Sequence, residues 1–180
     1  MKKIISIIAL STFGSLVWCQ SEKHEFYVTA GIGTVPFLVE SFNHNFLASE
    51  TYPEHANPAI TAGYQYRISK KINLGPELVI DKFWFEGWED HYRFTSLLGR
   101  CNIILHESMK TKVYSGISAG VAFRNAIETS NGIIDERHDT YLALHLYLIS
   151  VDFKLRKFSI TTNTGLGVSG LVNLGIKYHF

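Results

Sequence analysis

The chain has 180 residues, enough for one ordinary domain, and 17 Lys and Arg against 16 Asp and Glu give a formal net charge of only +1. This balance provides no basic field for nucleic acid, so we set that class of partner aside. Aromatic residues make up 13% of the chain, and 14 glycines accompany only 4 prolines. Such a composition favours strands, and we expect a single all-β domain.

The first 19 residues have the layout of a secretory signal peptide. Two lysines precede an apolar run that ends at Trp18. This run is shorter than the roughly 20 residues that a membrane-spanning helix needs. We therefore expect residues 1–19 to be a signal peptide and residues 20–180 to form the mature domain, with lipid attachment to Cys19 as the alternative to cleavage after it.

Alternation of apolar and polar residues is the dominant signal in the mature domain. It is clearest at the C-terminus, where Val172, Leu174, Ile176, Tyr178 and Phe180 share one face. The alternation predicts eight strands, at residues 25–34, 58–68, 72–84, 92–105, 111–124, 140–153, 157–167 and 170–180.

The predicted connections also alternate in length, as in transmembrane β-barrels, which have short turns at one end and longer loops at the other. Residues 69–71, 107–110 and 155–157 form tight polar turns. Residues 35–57 and 125–139 are long and rich in turn-forming and acidic residues, so we expect them to be exposed loops. The fourth loop, at residues 168–169, is much shorter.

Two kinds of barrel fit this alternation. A secreted barrel of the lipocalin type would turn its apolar residues inward, whereas a membrane barrel would turn them outward. Glycines and small polar residues crowd the face opposite the large apolar ones, which favours the membrane type. Aromatic residues near the strand ends are then expected to form two interfacial girdles, comprising Tyr27, Trp84, Tyr92, Phe123, Phe153, Phe158, Tyr178 and Phe180.

The last eleven residues, 170–180, resemble the C-terminal signal of outer-membrane β-barrel proteins, which end in an aromatic residue after alternating apolar residues. The chain as a whole resembles the short porin-like barrels of Gram-negative bacteria. This resemblance implies an eight-stranded antiparallel transmembrane β-barrel in the outer membrane, surrounded by outer-membrane lipids. It also implies an assembly signal formed by Ile176, Tyr178 and Phe180 that is recognised by the outer-membrane assembly machinery.

The predicted inner face carries several polar and charged residues: Arg67, Glu77, Asp81, Arg100, His145, Lys177 and His179. An eight-stranded barrel has little room beyond its own side chains, so we expect Arg67, Glu77, Asp81, Arg100 and Lys177 to form a polar network that fills the lumen. Glu77 and Arg100 are expected to lie at similar depth and to pair. A narrow pore for ions or small solutes is the alternative.

We predict a small barrel with a structural or surface-binding role, in which the loop of residues 35–57 meets a possible surface ligand. A lipid-modifying enzyme is a further alternative, but no triad can be assembled from sequence order alone, so we expect no catalytic residues. The histidines have no tight ligand spacing. We therefore expect neither a metal nor another cofactor.

Overall fold

The computed structural model describes residues 23–39, 55–84, 91–130 and 133–180. The expected signal peptide, residues 1–19, lies outside the described residues. So do residues 40–54, which form most of the predicted first loop.

The described residues form nine antiparallel strands. They are β1 (His24–Ile32), β2 (His55–Ala56), β3 (Ala59–Arg67), β4 (Ile72–Trp84), β5 (His91–Glu107), β6 (Thr111–Ser130), β7 (Ile133–Leu155), β8 (Phe158–Gly167) and β9 (Val172–His179). β2 is a two-residue strand that pairs with the end of β4. The other eight close into a barrel, because β1 pairs with both β3 and β9 while β4 pairs with both β3 and β5. The prediction of eight barrel strands is confirmed.

One end of the barrel carries the tight turns and both ends of the described chain, and we call it the turn end. The opposite end, the loop end, carries the connections after β1, β4, β6 and β8. Residues 35–39, predicted as loop, form a short helical turn there. Among the residues that the structure describes, no helix is long and apolar enough to cross a membrane.

The polarity of the barrel wall distinguishes between the two predicted barrel types. Polar residues such as Gln65, Asn73 and Ser118 are fully buried inside, whereas large apolar residues such as Leu142, Leu174 and Ile176 point outward and are exposed. A barrel in water would bury the apolar set instead. The wall is therefore of the transmembrane type, with an apolar outer face and a polar lumen.

The predicted loop at residues 125–139 is mostly strand, so that prediction was wrong. β6 and β7 continue pairing as far as Ser130 and Ile133, well beyond the last residue of β5 that pairs with β6, His91. Polar cross-strand pairs support this two-stranded ribbon, including the contact of Asn125 Oδ1 with His138 Nδ1 at 2.9 Å. Loop-like composition was misleading because a ribbon in water can carry polar residues on both faces.

One extra residue in β7 explains why this strand looked apolar on both faces. The register with β8 shifts between Tyr147 and Ile149, and the register with β6 shifts between Tyr147 and Ser150, which leaves Leu148 as a bulge. Tyr147 and Ser150 therefore both point into the lumen, while Leu148 and Ile149 both point outward. Strict alternation fails across such a bulge.

Two of the aromatic residues assigned to the interfacial girdles are elsewhere. Tyr27 and Tyr92 are almost fully buried and lie on the inner face. In contrast, Phe123, Phe153 and Phe158 are exposed on the outer face, as expected for girdle residues. Strand parity, rather than nearness to a strand end, decides which face an aromatic side chain takes.

Candidate functional site

The middle of the lumen contains a buried carboxylate surrounded by donors. Glu77 on β4 accepts hydrogen bonds from the hydroxyl groups of Tyr27 on β1, at 2.6 Å, and Tyr147 on β7, at 2.8 and 3.0 Å. The Arg100 guanidinium on β5 donates to the same carboxylate at 3.0 Å. The Ser169 hydroxyl lies 3.5 Å from it. We call these five residues the central cluster.

Strand register brings Glu77 and Arg100 together. Glu77 lies opposite Leu98, and Arg100 lies opposite Gly75, so the two charged side chains are diagonal neighbours on the inner face. Arg100 also donates from Nε to Asn102 Oδ1 at 3.0 Å. Because both charges are removed from water, the pair can persist only with such additional hydrogen bonds.

Aromatic rings hold the Arg100 guanidinium in place. Its central carbon lies 3.5 Å from the centroid of the Tyr147 ring and 5.1 Å from that of Tyr27, distances typical of cation–π contacts. Space for the Tyr27 ring comes from Gly63 on the adjacent β3, where a Cβ atom would lie 2.3 Å from the tyrosine ring. The glycine on the inner wall therefore makes room for a tyrosine.

A second ionic cluster, the lower cluster, lies nearer the turn end. It pairs Glu25 with Lys112 at 2.5 Å, and Asp152 with Lys177 at 2.8 Å. Lys177 also lies 3.4 Å from Glu25, which joins the two pairs. The hydroxyl of Tyr114 donates to Asp152 at 3.2 Å. Two carboxylates thus face two ammonium groups, and the cluster is electrically balanced.

Arg67 does not belong to the lumen network, and its assignment there was wrong. Its side chain lies at the rim of the turn end, partly exposed, where it contacts Glu107 at 2.9 Å. Lys154 reaches the same carboxylate at 2.7 Å. The inward parity of Arg67 was read correctly, but its place at the last residue of β3 puts the long side chain into solvent.

The half of the lumen nearer the loop end is mostly apolar, although Ser96 and Asp81 are also buried there. Six small or aliphatic side chains form one buried layer above the central cluster: Ala59, Val79, Leu98, Ala122, Ala143 and Val168. Beyond it lies an aromatic cluster, the aromatic cap, made of Phe83, Tyr92 and Phe94 with Ala126. Phe37, from the helical turn after β1, packs edge-on against Phe83 with ring centroids 5.5 Å apart.

Asp81 is also set apart from the ionic clusters. It is buried at the level of the aromatic cap, where it pairs in register with Phe94, and it accepts a hydrogen bond from the Thr34 hydroxyl at 2.5 Å. Thr34 directly precedes the helical turn that contains Phe37. Asp81 therefore ties the start of the first loop to the inner wall and makes no ion pair in the part of the chain that the structure describes.

The residues predicted to form the assembly signal share one face of β9. Ile176 is exposed on the outer wall, while the Tyr178 ring packs against Phe158 and Phe180 at centroid distances of 5.0 and 5.7 Å. Phe180 also stacks on His24, the first residue of β1, at a centroid distance of 5.6 Å. The three residues thus line the β9 side of the closing seam between β1 and β9.

Sequence reasoning missed most partners of the charges that it identified. Tyr27 was assigned to the outer face, and the bulge in β7 concealed Tyr147. Glu25, Lys112 and Asp152 lie close to strand ends, where strand boundaries are least reliable. Glu25 and Tyr27 are two residues apart on one strand, as are Lys112 and Tyr114, so each pair faces the same side of the wall. Assigning these tyrosines to the inner face would have placed Glu25 and Lys112 there too.

A serine hydroxyl meets a histidine in the lumen, where Ser159 Oγ lies 2.7 Å from His179 Nε2, but His179 Nδ1 lies 3.8 Å from Glu25, beyond hydrogen-bond distance. The Ser169 hydroxyl contacts Tyr147 and Glu77, whereas His145 receives its hydrogen bond from the Ser169 backbone amide at 3.2 Å. A nucleophile and its base would instead share a hydroxyl hydrogen bond. No group of three or more His, Cys, Asp or Glu side chains among these residues is arranged to hold a metal ion.

Solved structures of outer-membrane proteins share this architecture. Ail, the attachment invasion locus protein of Yersinia pestis, aligns with a TM-score of 0.52 at 14% identity, over 89% of this chain and 100% of that chain. The N-terminal β-barrel domain of OprF from Pseudomonas aeruginosa aligns with a TM-score of 0.51 at 12% identity, over 89% of this chain and 98% of that chain. The fold is that of an outer-membrane β-barrel. At these identities the likeness shows the fold alone, and no protein-family model or curated protein matches the chain.

The ion pair between Glu77 and Arg100 gives a quantitative test of the central cluster. Replacing either residue with alanine leaves the other charge buried without its partner, and we expect each variant to lose about 3–5 kcal/mol of unfolding free energy. The double variant should lose less than either single one. Urea-induced unfolding in detergent micelles measures all three.

Arg67→Ala is the control, because a partly exposed ion pair at the rim should contribute about 0–1 kcal/mol. Losses that simply add in the double variant would show that the two central charges do not depend on each other.

Proposed function

We propose that the chain is a closed β-barrel of the Gram-negative outer membrane that holds its loop-end elements at the cell surface, with a structural or surface-binding role. One observation carries this proposal: side chains occupy the lumen at every level described. The lower cluster, the central cluster, the apolar layer and the aromatic cap follow one another from the turn end to the loop end. Such a stack supports a scaffold better than a passage for solutes.

The alternative of a narrow pore needs a continuous polar path. The lower and central clusters would suit ions, but the apolar layer and the aromatic cap interrupt any such path towards the loop end. Hydrophobic constrictions of this kind prevent conduction by excluding water. We therefore rank the pore below the closed scaffold.

A surface-binding role draws support from the β6–β7 ribbon. Residues 128–130 and 133–135 pair only with each other, beyond the level at which β5 ends, so the ribbon extends past the barrel at the loop end. Ail, which has this fold, is named as an attachment protein. We propose that the ribbon and the loop of residues 35–57 together provide the contact surface for a ligand.

We further propose that the chain is not an enzyme. The carboxylate that faces the histidine of the Ser159–His179 pair, Glu25, lies 3.8 Å away and is paired with Lys112, so it does not orient the histidine as the third group of a triad would. For the outer-membrane assembly machinery, we propose that Ile176, Tyr178 and Phe180 form the recognition signal. Their position supports this, since β9 pairs with β1 to close the barrel.

The closed lumen predicts an electrically silent protein. We expect the purified wild type, inserted into planar lipid bilayers, to give no stepwise conductance above that of the bare lipid, because the apolar layer and the aromatic cap leave no hydrated path. Insertion is confirmed by heat-modifiable gel migration of protein recovered from the same lipid. Reproducible single-channel steps from the wild type would instead establish the pore.

The proposed role requires that the loop end of the barrel faces the outside of the cell. An epitope tag inserted after Ala48, in the first loop, should bind antibody on intact cells, because longer loops face outward in barrels of this type. The control is the same tag after Met109, which is 96% exposed at the β5–β6 turn and should bind antibody only after permeabilisation. The opposite pattern would invert the orientation and refute the proposal.

The proposed assembly signal predicts a defect that is larger in cells than in detergent. Deleting Phe180 should lower the folded fraction in the outer membrane several-fold, well beyond the loss of refolding yield that the purified variant shows in detergent, because only the loss in detergent reports the missing contacts with His24. Phe180→Tyr keeps the aromatic ring and should assemble like the wild type. Equal yields of the wild type and the deletion in cells would remove Phe180 from the signal.

A further inference from the structure

The barrel wall has a gap beside β7 at the loop end. β8 covers β7 only as far as His145, which pairs with Gly167, and the chain then turns at once towards β9. β7 continues beyond this point to Ile133 with β6 as its ladder partner. The short β8–β9 turn therefore lies deep in the wall, and the helical turn at residues 35–39 stands above it.

A pocket of about 710 Å³ occupies this gap. Its lining combines side chains of the inner face, such as Ala143 and Val168, with side chains of the outer face, such as Leu144 and Leu166. Val35 and Val39 of the helical turn complete it. Because both faces contribute, the pocket connects the outer wall with the apolar layer of the lumen. Its volume lies within the roughly 300–1,000 Å³ of ordinary ligand sites.

The chemistry of the lining selects an apolar ligand that arrives from the bilayer. The outer-face leucines belong to the wall that faces lipid, so the pocket is continuous with the acyl region of the membrane. A single arginine, Arg124, lines the side towards the loop end, close to Asp139 at 3.5 Å. Arg124 also lies over the ring of Tyr92 on the inner face, at 5.2 Å, so the recognition of the ligand rests on the apolar part of the lining.

We propose that this pocket binds one acyl chain of a bilayer phospholipid, which enters through the gap between β7 and β8. The chain would lie between Leu144 and Leu166 and reach the apolar layer at Ala143. This inference rests on the membrane location of the barrel, and it does not depend on whether the lumen is closed to ions.

Native mass spectrometry tests the proposal on the mature barrel released from nanodiscs of phosphatidylglycerol. Collisional activation is set so that loosely associated lipids are removed. We expect one phospholipid to remain on the wild type. Leu144→Asn, which places an amide in the lining, should lower the fraction of lipid-bound protein at least about five-fold, because a polar group without a partner is unfavourable in an apolar site.

Leu97→Asn is the matched control. Leu97 is 52% exposed on the outer face against 51% for Leu144, but it lies on β5 away from the pocket, so this variant should retain lipid like the wild type. Ala143→Leu, which fills the inner part of the pocket, is a second variant and should also lose the lipid. Heat-modifiable migration shows that each variant is folded in the nanodisc, which tests the membrane barrel separately.

Equal lipid retention by Leu144→Asn, Leu97→Asn and the wild type would place the bound lipid elsewhere on the wall and overturn the proposal. Wild-type protein that is folded in the nanodisc but retains no lipid, or that carries a peptide in its place, would overturn it as well.

Discussion

The inverted polarity of the barrel wall is the constraint on which the rest of this structure depends. Once the large apolar side chains face outward, every polar residue of the alternating strands must face a lumen that only eight strands enclose. Glu77, Arg100 and Lys177 are then buried by the wall itself, and each must find partners inside. The polar and charged contents of the lumen are therefore a consequence of closing the wall with its apolar face outward.

The ionic clusters satisfy this constraint by pairing opposite charges. Carboxylates and cations are balanced in both clusters, and tyrosine hydroxyls supply the hydrogen bonds that the cations leave unfilled. The rings of Tyr27 and Tyr147 also cover the guanidinium of Arg100. Towards the loop end, where the described charges are Asp81 and the pair of Arg124 with Asp139, apolar side chains fill most of the lumen instead. The short β8–β9 turn lies deep in the wall, and the lateral pocket opens beside it.

Much of the fold could be predicted from sequence, because the alternation along a strand remains recognisable even when the predicted strand ends are wrong by a few residues. Parity correctly placed Glu77 and Arg100 inside. It failed for Tyr147, because the bulge at Leu148 shifts the parity of half a strand, and no local signal in an apolar segment marks a bulge. Strand parity also could not show that the Arg67 side chain lies at the partly exposed rim, since the depth of a residue in the lumen depends on where the neighbouring strands end. The ribbon of β6 and β7 was missed because its composition resembles that of a loop.

The most direct test of the inverted wall is an arginine placed at two depths on the outer face. Leu97 lies midway along the wall, opposite Leu78 and Val121, whereas Leu155 lies at the turn end, and the two are 52% and 58% exposed. Unfolding free energies in phospholipid vesicles should fall by about 2–4 kcal/mol for Leu97→Arg and by about 0–1 kcal/mol for Leu155→Arg. Equal, small losses at both positions would mean that the outer wall faces water, and would contradict the account.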